Sequence, residues 1–268
     1  MTSYNFYGYL IVRILSEHRG YRRYFENEYA RISQGGKAKA KTLRINVEIV
    51  PSLPEEARGD IKRTVRFKKL FTFRFLVRGI ESRDVTIYFQ KHWVDRVYMN
   101  AIGVFLQAQV LEPVMYMKLL EENILFMHAG GVTKGEMGIL LPAYGGTGKT
   151  TLSMALLNQG HKLLGDDLLL VDIDEGVVHP YPRPLHIFTY NVRNLRGATI
   201  PFKYKFAVYF KNFLRFFLER ILRTEFLIST RIHADELFAD RDIFDPVANA
   251  NAAAWMWQQG RRNEWACQ

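Results

Sequence analysis

The sequence predicts an α/β fold, and three observations predict it. An apolar run, Gly138-Ile139-Leu140-Leu141, leads into a glycine-rich turn, and a helix-forming segment from Thr151 to about Gln159 follows. A second apolar run ends in Gly165-Asp166-Asp167, with Asp166 17 positions after Lys149. Ahead of both, Leu43–Ile49 alternates apolar and polar residues at the period of a half-buried strand.

Taken in order, residues 1–33 are aromatic-rich, mixed in charge and without a clear period. Gln34–Lys41 is a basic loop by composition, and Pro51–Gly59 is a turn-rich connection. Phe71–Val77 and Asp84–Phe89 are further strands. Val97–Leu111 and Val114–Leu120 read as two buried helices split by Pro113. Ile124–Met127 is a short apolar run ending at His128-Ala129-Gly130-Gly131. After the glycine-rich turn and its helix come brief strands near Lys162–Leu164 and Leu168–Ile173, then a stiff segment holding Pro180, Pro182 and Pro184 around Arg183.

Residues 203–223 place Phe210, Phe213, Leu214, Phe217, Leu218 and Ile221 at helical spacing, with Lys211, Arg215, Glu219, Arg220 and Arg223 on the other face. This predicts a surface helix docked on the core by its apolar face. The same pattern also serves a membrane-surface helix or a groove for an acidic partner. The expected organisation is a small β-rich region over 1–95, a phosphate-loop core over 96–245 and a loosely ordered tail over 246–268.

Composition narrows the function classes. The chain has 268 residues and a net charge of +10, a balance that favours acidic partners. The one cysteine, Cys267, excludes a disulfide framework and a Cys-rich zinc site. No signal peptide and no uncharged apolar run of about 18 residues is visible, so a cytoplasmic location is expected. No aromatic-basic motif of a nucleic-acid module is present, and no nucleic acid is expected as a partner.

The chemistry centres on Gly145-Gly146-Thr147-Gly148-Lys149-Thr150-Thr151. Glycines let backbone N–H groups curl around phosphate oxygens with no Cβ in the way. Lys149 would reach the β- and γ-phosphates of ATP, and the Thr150 hydroxyl would sit on Mg²⁺. The helix that follows would aim its positive end at the same anion. Ala143 stands where the strict pattern opens with glycine. A glycine-rich turn before an ordinary helix is the plain alternative.

Asp166 and Asp167 supply the acids. At a strand end one can turn to Mg²⁺ and the other to an acceptor hydroxyl, whose proton it can take. Which of the two is the base is open at this point; Asp166 joins Thr150 as a metal-ligand candidate. His128 ends an apolar run just before the strand that feeds the loop. If those two strands pair, its ring lies near the acids and can orient one of them. Arg183 is a candidate transition-state cation, because guanidinium matches phosphoryl oxygens bidentately. A surface arginine in a stiff loop is its plain alternative.

Met127-His128-Ala129-Gly130-Gly131-Val132, Gly145–Leu152 and Gly160-His161-Lys162-Leu163-Leu164-Gly165-Asp166-Asp167 together resemble HPr kinase/phosphorylase and its relatives. The loop also looks like that of the ATP-dependent phosphoenolpyruvate carboxykinases, which share that core. The resemblance covers roughly residues 124–190. It implies that Lys149 and Thr150 bind phosphates and Mg²⁺, and that His128 with Asp166 and Asp167 forms the acid/base and metal centre. The N-terminal region does not resemble the regulatory domain of the bifunctional enzyme, and a clear Glu-x-Arg-Gly-type loop is missing downstream. The chain is therefore more similar to the stand-alone HPr-kinase-like proteins, some of which phosphorylate a serine on a peptide, including lasso-type precursor peptides.

The expectation is thus an ATP- and Mg²⁺-dependent serine kinase acting on a peptide or protein. Homo-oligomerisation is implied by the resemblance alone. The alternative is a non-catalytic nucleotide-binding regulator, or a peripheral membrane or partner-binding protein that uses the helix at 203–223. A carboxykinase reading fits less well, because the chain is short for it and lacks a clear oxaloacetate site.

Overall fold

The computed structural model describes residues 1–29, 32, 42–67, 71–93, 95–135, 137–144, 147–181, 183–187, 202–222, 230–233, 236 and 250–254. The basic loop expected at 34–41, Gly145, Gly146 and residues 255–268 lie outside the described residues. The described chain is a mixed α/β protein with two large mixed sheets. It divides into two compact units, Met1–Phe126 and Met127–Gln268.

In the first unit, strands β1 (Thr2–Phe6), β2 (Leu10–Leu15), β3 (Leu43–Val50), β4 (Ile61–Phe67), β5 (Phe71–Arg78) and β6 (Asp84–Gln90) form one sheet in the order β1-β2-β3-β6-β5-β4. β3 runs parallel to β2 and to β6; the other pairs are antiparallel. Alternation buries Leu10, Val12 and Ile14 on β2, Leu43, Ile45 and Val47 on β3, and Val85, Ile87 and Phe89 on β6. Helix α1 (Arg19–Tyr29) buries Tyr21, Tyr24, Phe25 and Tyr29. The ring of Tyr29 meets Tyr4 and Phe6 edge-on at 5.1 and 5.3 Å.

The helical segment after residue 95 belongs to this unit, so the division falls at 126/127 instead of the expected 95/96. Aromatic packing is the reason. α2 (Asp95–Leu106) sets Phe105 4.5 Å from the ring of Phe73 on β5. Buried hydrogen bonds join the same elements: Tyr21 donates to Asp95 at 2.8 Å and Tyr24 to Gln107 at 2.7 Å. Pro113 does not split two helices. A single π-helical turn, Gln107–Leu111, links α2 to α3 (Glu112–Leu120) without a break, and this wider turn falls just ahead of Pro113, whose ring and missing N–H a regular α-helical ladder does not accommodate.

The second unit is built on β7 (Ile124–Met127, within which the division falls), β8 (Ala129–Lys134), β9 (Met137–Pro142), β10 (Lys162–Gly165), β11 (Leu169–Asp172), β12 (Val177–His179) and β15 (Ala250–Ala254). Their order in the sheet is β10-β8-β9-β15-β12-β11-β7. A two-stranded sheet pairs β13 (Leu185–Ile187) with β14 (Thr230–Ile232). Within the tail expected over 246–268, the described residues Ala250–Ala254 form β15. It lies between β9, which it joins in parallel, and β12, which it joins antiparallel.

Helix α4 (Lys149–Asn158) and helix α5 (Phe202–Leu222) pack into one core. Met154 and Leu157 of α4 meet Val132 of β8, Leu163 of β10, Leu185, Ile232 and Val208 of α5. A second cluster, Ala129, Leu140, Leu164, Leu169 and Val178, fills out the sheet. Neighbours Leu163 and Leu164 therefore face opposite sides of β10, as strand alternation requires.

α5 does not dock as the sequence led us to expect. Val208 is buried and Tyr204, Ala207 and Lys211 are half-buried, while Phe210 and Phe213 are exposed. Helical periodicity identifies an apolar face but does not say which face the core takes. Among the described residues, no helix is long and apolar enough to cross a membrane.

Candidate active site

Three glycines bring the chemical groups together. β8 opens with Gly130 and Gly131, and β10 closes with Gly165 opposite Gly131, across an irregularity between Leu163 and Gly165. A Cβ at Gly131 would lie 2.7 Å from Leu169, and one at Gly165 would lie 2.8 Å from the Leu168 carbonyl. A Cβ at Gly130 would come within 3.2 Å of the Ser153 hydroxyl on α4. Without side chains at these points, α4 and the Asp166–Asp167 bend close onto β8.

The loop after β9 turns into α4 through Gly148, whose φ of +97° only glycine takes without strain. The Thr147 hydroxyl donates to the Tyr144 carbonyl at 2.8 Å. The Lys149 ammonium donates to the carbonyls of Ala143 and Tyr144, the latter at 3.1 Å. It also lies 3.3 Å from His128 Nε2. The Thr151 side chain is exposed on the first turn of α4 and has no contact with the acids in the described set.

The carboxylates separate into two environments. Thr150 donates to Asp166 Oδ2 at 2.9 Å. Asp166 Oδ1 is buried and has no hydrogen-bond partner among the described residues. Burial, reinforced by the neighbouring Asp167 charge, pushes the Asp166 carboxyl up to about 6; the Thr150 hydrogen bond and Lys149 oppose the shift. Asp167 instead has His128 Nδ1 3.3 Å from one oxygen and Arg183 4.0 Å from the other. An ammonium can only donate, so His128 Nε2 accepts from Lys149 and the ring proton sits on Nδ1, facing Asp167. The His128 and Asp167 side chains are 51% and 41% exposed, so their pairing adds little stability and leaves both open to a ligand.

His128, Lys149, Asp167 and Arg183 therefore form one chain of contacts, with the Thr150–Asp166 pair beside it. His128 reaches the acids by a route other than the one the sequence suggested. β7 lies at the far edge of the sheet; it is β8, paired with both β9 and β10, that carries His128 to Asp167. Sequence reasoning passed over Ser153 and the structural role of Gly130. The adjacent glycines after His128 were the signal for a close backbone approach.

The Thr150–Asp166 pair suits a hard divalent cation. An orphaned buried carboxylate oxygen next to a hydroxyl supplies oxygen donors of the kind Mg²⁺ takes when phosphates and water complete its shell. Among the described residues, no group of three or more His, Cys, Asp or Glu forms a metal cage.

A raised Asp166 carboxyl carries a stability signature. Between about pH 4 and 6 the native protein keeps a proton that the unfolded chain, at the ordinary value of 3.8, has released. Stability of the nucleotide-free protein therefore falls as pH rises through this window. Asp166→Asn should remove that slope and add about 3 kcal/mol at pH 7. Urea melts from pH 4 to 8 check this; parallel curves for the two proteins would refute it.

No family model matches this sequence, and no curated protein matches it.

Proposed function

We propose that this protein is an ATP- and Mg²⁺-dependent kinase that transfers the γ-phosphoryl group to a serine hydroxyl of a peptide or protein, through a phosphate-loop core of HPr-kinase type. The observation that carries the reading is the partition of the two acids: Asp166 beside the Thr150 hydroxyl, Asp167 beside His128 and Arg183. That partition supports a division of labour. Asp166 and Thr150 would hold the metal, which when bound neutralises charge on the phosphates. Lys149 would exchange its loop carbonyls for phosphate oxygens.

Asp167 would act as the base, oriented by the Nδ1–H of His128. The serine oxygen forms a bond to the γ-phosphorus, the bond from that phosphorus to the β–γ bridging oxygen breaks, ADP leaves, and the hydroxyl proton passes to Asp167. Arg183, 4.0 Å from Asp167, would meet the transferred oxygens or hold Asp167 in place. The acceptor is read as a peptide because the Asp167 side is open, with both Asp167 and His128 substantially exposed. Homo-oligomerisation and a cytoplasmic setting belong to the same proposal.

The test is incubation with γ-labelled ATP, Mg²⁺ and a serine-bearing peptide library. Label on serine, lost when Mg²⁺ is chelated, is the expected result. ATP binding with no label on any serine would instead favour a nucleotide-binding regulator.

A further inference from the structure

We propose that the exposed aromatic face of α5 docks on an anionic bilayer surface. Phe202, Phe206, Tyr209, Phe210, Phe213 and Phe216 are 48–81% exposed. At 3.6 residues per turn they fall within an arc of about 120° and run about 21 Å along the helix. Phe206 and Phe210 stack at 5.8 Å, so the stripe is continuous. The opposite side already has its partners. Val208 lies in the core cluster, with Tyr204 packed against it, and the Tyr204 hydroxyl donates to Glu236. The helix thus meets its own unit through one side and offers six large aromatic rings on the other. Such a surface is far more apolar than isolated exposed residues explain.

Charge selects the occupant. α5 contains five Lys and Arg against one Glu, a net +4, within a unit whose other residues hold 11 basic and 13 acidic side chains. Positive charge is therefore concentrated on the helix that bears the aromatic stripe. Lys205 and Arg220 are exposed beside or along it. Phenylalanine that enters the acyl boundary while lysine and arginine meet anionic headgroups is the arrangement of an interfacial helix lying in the membrane plane. A second copy of the same face would set Lys205 and Arg220 against another pair of cations, so self-association through the stripe is disfavoured by charge. The inference does not depend on phosphoryl transfer.

Sedimentation of the full chain with phosphatidylcholine vesicles, with and without about one-third phosphatidylserine, tests it. Binding is expected to the anionic vesicles, at least about tenfold over neutral ones, and to weaken as salt is raised. Phe206→Asp with Phe213→Asp should lower it about tenfold or more, with an unchanged circular dichroism spectrum. Lys205→Ala with Arg220→Ala should lower it several-fold, which keeps the test open should the aspartate pair fold poorly. Equal binding to both vesicle types, or binding indifferent to both variants, would overturn the proposal. So would a dimer by light scattering that the aspartate pair dissolves while no vesicle binding is seen.

Discussion

Lys149→Ala should abolish labelled phosphoryl transfer, by at least about a thousandfold, and weaken ATP binding about tenfold or more. The Lys149 ammonium bridges the Ala143 and Tyr144 carbonyls and the His128 ring, near the surface of the unit. Those contacts exchange readily for water, so the apo variant should keep its stability to within about 1 kcal/mol. On the proposed reading the same ammonium then faces phosphate oxygens, where charge grows during transfer. Calorimetric titration with ATP and Mg²⁺, alongside the transfer assay, separates the two effects. Wild-type transfer by the variant would remove the phosphate-loop reading altogether.

Asp167→Asn is the second large expectation, and its signature differs. Asparagine has almost the same shape and its carbonyl can still accept from His128, so nucleotide and Mg²⁺ should bind as before. It cannot take up the serine proton. Turnover should fall about 10²- to 10⁴-fold with the KM for ATP unchanged. Asp166→Asn should instead raise the Mg²⁺ requirement, because it alters the carboxylate beside Thr150. If Asp167→Asn changed only the Mg²⁺ dependence and Asp166→Asn only the turnover, the roles assigned to the two acids would have to be exchanged.

The local parts of the candidate site were legible in the sequence, and the long-range parts were not. The strand into the loop, helix α4 and the bend at Asp166 each carry a periodic or turn signal within a few residues, and each forms near its expected bounds. Pairing leaves no such trace. That β8 rather than β7 delivers His128 follows from which strands lie side by side, and the approach of α4 follows from glycines whose role is only to be absent as side chains. β15 was missed because Ala250–Ala254 has no alternation and few β-formers; its place is set by the open edges of β9 and β12. Residues 1–29 hid two strands and a helix although Tyr4 and Phe6 alternate on β1 and Tyr21, Tyr24, Phe25 and Tyr29 share one face of α1: both elements are short, and aromatic residues serve strands and helices alike. On α5, polarity was readable but docking was not.

β15 also governs when this protein becomes competent during synthesis. β9, the strand that feeds the glycine-rich loop, gains its parallel neighbour from residues 251–254, more than a hundred positions later. Joining segments so distant is entropically slow, and until it happens β9 and β12 present bare edges. A nascent chain therefore carries the glycine-rich loop and α4 long before it can hold them in shape, and its vulnerable interval for misassembly lasts until residue 254 has been made.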